Sequence, residues 1–180
     1  MGDPKRAKKQ YATPLRPWDK ERIEREADLI NNFGLKSKKE VWKTETILRN
    51  FRREARKLMA ATGDQADKES RQLLEKLRGL SLLDEDSTIV DVLSLDIEDV
   101  LSRRLQSIVH ENGLAKSVKQ ARQMIVHGHI VIGDKKITEP GYLVSVDEEK
   151  EIGFHNTSSY KERMGNGVGP SDKEGATGGS

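Results

Sequence analysis

The chain has 180 residues, 34% of them hydrophobic and 34% charged, with no cysteine, which allows one ordinary domain or two small ones around a thin core and excludes disulfides and thiolate zinc sites. The formal charge of +2 hides strong blocks: residues 1–60 carry 17 Lys/Arg against 9 Asp/Glu, 61–100 carry 4 against 11, 101–146 carry 7 against 3, and 147–180 carry 4 against 7. Two basic stretches around an acidic one suggest a polyanion-binding surface built from two parts of the chain, because clustered cations attract phosphates at a distance; solvated helix faces are the plainer alternative.

Residues 1–16 hold Lys5, Arg6, Lys8, Lys9 and Arg16 with little to bury, which predicts an extended arm that orders only on a partner. No apolar run here resembles a secretory signal and none elsewhere is long enough for a membrane span, so the expected address is the cytosol. Pro17 is expected to open a first helix, with Asp19 and Glu21 at its positive end, Ile23, Ala27 and Ile30 along one face, and Gly34 as its stop. The pattern predicts a second helix over 39–61, where Ile47, Leu48, Phe51, Ala55, Leu58 and Met59 form an apolar stripe and Arg49, Arg52, Arg53, Arg56 and Lys57 lie on the other sides. A third is predicted over 67–78, with Leu73, Leu74 and Leu77 inward, so the three make a small bundle. Residues 80–95 mix apolar pairs with acids and read as a connector with short turns. Asp96 is expected to cap one helix running to Asn112-Gly113, burying Ile97, Val100, Leu101, Leu105, Ile108 and Val109.

The stretch LAKSVKQARQMIVHGHIVIGDKKITEPG, residues 114–141, carries the most chemistry. Ser117 followed by Gln120 fits a capping box, and Leu114, Val118, Ala121 and Ile125 fall on one helical face. The opposite side collects Lys116, Lys119, Gln120, Arg122, Gln123 and His127. Gly128 should stop the helix, residues 129–132 have the β-branched content of a strand, and Gly133-Asp134 supplies a turn edged by Lys135 and Lys136. A further strand is expected over 142–146. A cationic helix wall beside a small sheet suits a nucleic-acid backbone, since Arg offers phosphate a fork of donors and Lys a mobile charge. With aromatics at only 4%, extensive base stacking is not expected, which favours folded RNA read by shape and phosphate contact.

Residues 103–144 closely resemble the small RNA-binding module named after small-subunit ribosomal protein four, on the opening R-L, the L-A-x-S-x-x-x-A-R-x-x-I core, the helix-stopping Gly and the strand pair. Pseudouridine synthases, some aminoacyl-tRNA synthetases and heat-shock ribosome-binding proteins carry the same module. The N-terminal stretch KKQYATPLRPWDKERIEREADLINNFGLKSKKEVWKTETILRNFRREARKL resembles the helical domain of the ribosomal protein four family, and IEDVLSRRLQ and EIGFHNTSSY extend the likeness to about residue 160. The resemblance implies an α+β protein of archaeal type. Its divisions would be a basic arm, helical domain and acidic connector over 1–95, and an RNA-binding module of two helices on a small antiparallel sheet over 96–160. A disordered Gly/Ser-rich tail would follow over 161–180.

It also implies a structural, non-enzymatic constituent of the small ribosomal subunit that binds the five-prime domain of small-subunit rRNA and nucleates assembly. Ribosomal protein five and other small-subunit proteins would be its partners, with mRNA near the channel by which it enters the subunit and a contribution to translational accuracy. No membrane, homo-oligomer, cofactor or metal is implied. The RNA-facing positions carried over are Lys116, Ser117, Lys119, Gln120, Arg122, Gln123 and His127. Arg103, Arg104, Lys135, Lys136 and the basic residues of the arm and second helix stand as further candidates. The chain departs from the family in lacking the N-terminal cysteines that hold zinc in many bacterial members, and in its Gly-rich, slightly acidic tail where the eukaryotic tail is basic.

His127-x-His129 reads as RNA-contacting or satisfied histidines rather than a metal pair, because zinc needs three or four ligands. The acids from Asp84 to Asp99 read as caps and solvated charge. An RNA-modifying enzyme using the module as a clamp would need a catalytic domain for which the remaining residues leave no room. A protein-binding helical scaffold is the other rival reading, motivated by the charge blocks.

Overall fold

In the computed structural model, residues 9–158 and 160 are described; Lys5, Arg6, Lys8 and the tail expected beyond 161 lie outside them. Three helices come first: α1 (Lys20–Asn32), α2 (Lys38–Ala60) and α3 (Asp64–Gly79). Helix α1 starts three residues later than Pro17, because Pro17-Trp18 form a turn and the Asp19 side chain accepts from the Arg22 N–H at 3.5 Å, capping the first turn. Its buried residues are Glu26 and Leu29, and Ala27 faces solvent. The face is rotated from the expected stripe because Glu26 is drawn inward by Trp42 Nε1 at 2.9 Å, Lys38 at 3.1 Å and Arg22. Helix α2 buries Val41, Thr44, Leu48, Phe51, Ala55 and Leu58, alternating steps of three and four that keep one face inward. Met59, expected in that stripe, is largely exposed.

The acidic connector is packed. A one-turn 3-10 helix at Asp91–Leu93 and the following Leu95 insert Val92 and Leu95 into the core formed by Leu48, Phe51, Ala55, Leu73 and Leu77. Arg78 of α3 donates to the carbonyls of Asp84 (3.2 Å) and Ser87 (2.9 Å), which folds the connector back onto the bundle.

The single helix expected over 96–112 is two, α4 (Ile97–Ser102) and α5 (Leu105–Glu111). Between them Arg104 is extended and pairs with Leu143 in an isolated antiparallel bridge, with Leu105 N donating to Tyr142 O at 2.8 Å and Val144 N to Arg103 O at 3.0 Å. These bonds substitute for the helical ones missing at the break. Val100 packs with α2 and α3 and Leu101 with α1 and α2, so α4 completes the helical half. Leu105, Ile108 and Val109 turn the other way, into a core with Ala121, Met124, Ile125, Ile130, Ile132 and Val144.

That second core is closed by α6 (Val118–Val126) packed on α5, and by a three-stranded antiparallel sheet of order β2-β1-β3. Strand β1 is Ile130–Ile132, β2 is Lys135–Lys136 and β3 is Ile152–Phe154. The strand expected over 142–146 is absent: only Leu143 bridges, and Ser145 caps a short helix, α7 (Val146–Glu149), by a reciprocal pair of bonds with Glu148. The mixed helical and antiparallel architecture is the expected α+β class.

Candidate nucleic-acid interface

Helix α6 begins as its sequence predicts at Ser117, whose hydroxyl accepts from Gln120 N at 3.2 Å. The Gln120 amide oxygen reaches Lys116 N at 2.9 Å, one residue earlier than in a capping box, so the entering loop is fixed with the helix. Ala121, Met124 and Ile125 point into the core, leaving Lys116, Ser117, Lys119, Gln123 and His127 exposed and Gln120 half-buried. No acid lies among the residues of α6, so nothing on the helix itself neutralises this wall.

At its end, Gly128 has φ +72°, and the Lys136 side chain lies across it: a Cβ there would sit 1.8 Å from Lys136 Cε. Glycine thus ends the helix and leaves a channel for the lysine stem, placing a cation near the negative end of α6. Lys135 and Lys136 are both exposed on β2. His127 is exposed, whereas His129 turns to Ser158 Oγ at 3.1 Å and to the edge of Tyr160. Among the described residues no three His, Asp or Glu side chains gather as a metal site, and no helix is long and apolar enough to cross a membrane.

Three arginines of the module predicted to face RNA are engaged within the protein. Arg122 donates to both oxygens of Glu40 on α2, at 2.8 and 3.2 Å, and to Gln106 Oε1 at 3.1 Å. Arg104, whose side chain is only 8% exposed, meets the same carboxylate at 2.6 Å, with Gly141 close against its guanidinium. Arg103 holds Glu149 at 2.7 Å and the carbonyl of Val144. Gln106 completes the clasp, donating to the carbonyls of Phe33, Gly34 and Val118 at 3.0 to 3.2 Å. Burial raises the pKa of Glu40, but bonds from Arg122 and Arg104 outweigh it and hold the carboxyl below its ordinary value. The clasp ties α2 to α5 and α6, so the two halves are joined by charge-assisted bonds as well as by the chain.

On the helical half, Arg49, Arg53, Arg56 and Lys57 are exposed. Arg52 is half-buried, donating to the carbonyl of Leu95 and lying 3.7 Å from Asp96. Arg49, Arg52 and Arg56 converge with Arg25 of α1 on a concavity of about 440 Å³, while Lys57 faces away, into the groove between α2 and α3. Arg25 is not among the positions the sequence singled out, although its place three residues after Arg22, on a helix that carries acids as well as cations, is the signal that could have found it.

The arm, expected to be unstructured, is laid down from residue 9 onward: Ala12 N donates to Thr46 Oγ1 at 3.1 Å, and Tyr11 packs on Trp42 with centroids 6.1 Å apart. Lys9 and Arg16 are exposed along it. Arg16, Arg22 and Arg49 line a second depression of about 250 Å³, continuous with the first through Glu45 and Arg49.

The S4 domain family matches residues 103–150. Across most of its length the chain is similar to three archaeal proteins named small ribosomal subunit protein uS4. That of Methanothermobacter thermautotrophicus is 49% identical over 164 residues, covering 91% of this chain and 96% of the relative. That of Hyperthermus butylicus is 48% identical over 163 residues, covering 91% and 93%. That of Ignicoccus hospitalis is 46% identical over 160 residues, covering 89% and 96%.

Proposed function

The chain belongs to the uS4 family of small ribosomal subunit proteins, and from that membership we propose that it binds the five-prime domain of small-subunit rRNA and nucleates assembly there. It is a structural, rRNA-binding constituent of the ribosome in the cytoplasm, as its relatives are ribosomal proteins and not enzymes. In this reading it also contacts ribosomal protein five and lies near the channel by which mRNA enters, where it contributes to translational accuracy. In this reading the RNA-binding module spans 96–160, and the core changes sides within it, between Leu101 and Leu105.

The observation that carries the reading is the pair of exposed cation sets on either side of the Glu40 clasp. One is Lys116 in the loop before α6 and Lys119 on the helix, with Lys135 and Lys136 beside them and the polar Ser117, Gln120, Gln123 and His127 along the helix and at its ends. The other is Arg49, Arg53 and Arg56 on α2 with Lys9 and Arg16 on the arm; Arg52 is half-buried beside them and Lys57 faces the groove between α2 and α3. Two sets of phosphate donors held in fixed relation favour a folded RNA, whose backbone has a fixed shape, over a flexible strand. Arg103, Arg104 and Arg122 serve this surface from within, by fixing the elements that carry it.

Binding of the purified protein to the five-prime domain of rRNA, compared with tRNA across a range of salt, tests this. Tight, salt-steep binding with a clear preference for the rRNA domain is expected. Equal weak binding to both RNAs would overturn the assignment.

A further inference from the structure

Trp18 is 89% exposed and Leu15 is fully exposed, on a protein with only two tryptophans. The backbone that displays Trp18 is tied to α1. Arg22 donates from one nitrogen to the carbonyls of Arg16 (3.1 Å) and Pro17 (2.9 Å), while its other terminal nitrogen is on the buried Glu26. Asp19, the next residue, is fixed as the cap of α1. A solvated indole on a backbone tied down at Arg16-Pro17, two residues from Arg16 in the cationic depression, suits a partner that offers it a flat apolar face. The chemistry alongside points the same way: residues 12–16 of the same segment wall the depression that Arg16, Arg22 and Arg49 line. Asp19 and Glu45 are the acids there, and Asp19 is already engaged as a cap. A flat exposed aromatic carried two residues along the chain from a cationic hollow matches a nucleotide, base and phosphate together.

We propose that Trp18 stacks on an unpaired nucleobase of the ribosomal RNA, with the adjoining phosphate seated in the depression between Arg16 and Arg49. The inference rests on the rRNA-binding reading above and adds to it a contact to a base, where composition alone pointed to backbone and shape. Stacking needs no particular base, so this contact contributes affinity and register rather than sequence choice.

The test uses the full chain, with Trp18→Ala and Trp18→Phe compared for binding to the five-prime domain of rRNA at several salt concentrations. Trp18→Ala is expected to lose roughly 5- to 140-fold in affinity, the range one aromatic stack supplies, with an unchanged salt slope because every cation that meets a phosphate is still in place. Trp18→Phe should recover most of it. Both variants should keep the wild-type unfolding midpoint, since the ring is solvated. In the wild type, RNA should shield an indole from acrylamide, an effect missing in Trp18→Phe, where only the half-buried Trp42 reports. Wild-type affinity in Trp18→Ala would overturn the proposal while leaving the rRNA reading intact. Loss of a small-subunit protein from assembled particles, with RNA affinity unchanged, would likewise overturn it by assigning the ring to a protein. Absence of any rRNA preference in the wild type would instead remove the reading on which both stand.

Discussion

Helices α2 and α6 both present a basic side opposite an apolar stripe, yet they use their arginines differently. Helix α2 carries Glu45 and Glu54 among its own cations and leaves Arg49 and Arg56 facing solvent around a concavity. Helix α6 has no acid, and its one arginine, Arg122, crosses to Glu40 at the start of α2, 82 residues away in sequence. Lys119 on α6 and Lys116 in the loop before it are left to face outward. A basic stripe therefore does not predict which cation meets a ligand: a guanidinium with a carboxylate in reach and little solvent forms a clasp, and an ammonium on a flexible, exposed stem stays free.

The sharpest way to break this contrast is at Glu40. Changing Glu40→Ala strands Arg104 and Arg122 without their carboxylate, and removing one partner from a buried charge cluster is expected to cost about 3 kcal/mol of stability, read from the denaturant midpoint. A cost below about 1 kcal/mol would show that the halves do not depend on the clasp. The same group gives a pH signature. The carboxyls of Glu40 and Glu26 are held below their ordinary values in the folded state, each against a burial effect that raises them. Their contribution is therefore complete above the ordinary glutamate pKa of about 4.3 and is lost as pH falls from there through the depressed values. Glu40→Gln should flatten part of that acid decline; a decline identical to the wild type would contradict the assignment to Glu40.

A smaller effect is expected at Gly128. Gly128→Ala forces a side chain into a left-handed backbone conformation at a cost of about 1 kcal/mol and evicts the Lys136 stem from its channel. Adding Lys136→Ala relieves the collision but not the backbone, so the double variant should recover less than half of the stability that Gly128→Ala removes. Full recovery would mean that the glycine is there for the lysine alone.

The local signals were legible in the sequence. The Ser117 cap, the α2 stripe from Leu48 to Leu58, the Gly128 stop and the turn at Gly133 each depend on residues within a turn or two. Features set by distant partners were not. From Leu101 through Leu105 to Ile108 the helical spacing never falters, and the chain breaks at Arg103-Arg104 because Leu143 supplies a β partner there. Strand β3 is three residues around a glycine, too short to read without β1 beside it. The inward turn of Arg122 was invisible for the same reason, since nothing near it in sequence foretells Glu40. The exposed polar side of α6 was legible because an amphipathic helix must put that side somewhere outside the core.

The division between outward lysines and inward arginine can be measured most directly as the salt dependence of rRNA binding in two variants side by side. Replacing Lys116 and Lys119 together by Ala should lower the slope by roughly 1 to 2, about 0.9 for each phosphate left without its cation, with the unfolding midpoint unchanged. Arg122→Ala should lower the unfolding midpoint and leave the slope as it is. A slope reduced by Arg122→Ala and untouched by the lysine pair would contradict the account, and would place the arginine, not the lysines, on the RNA.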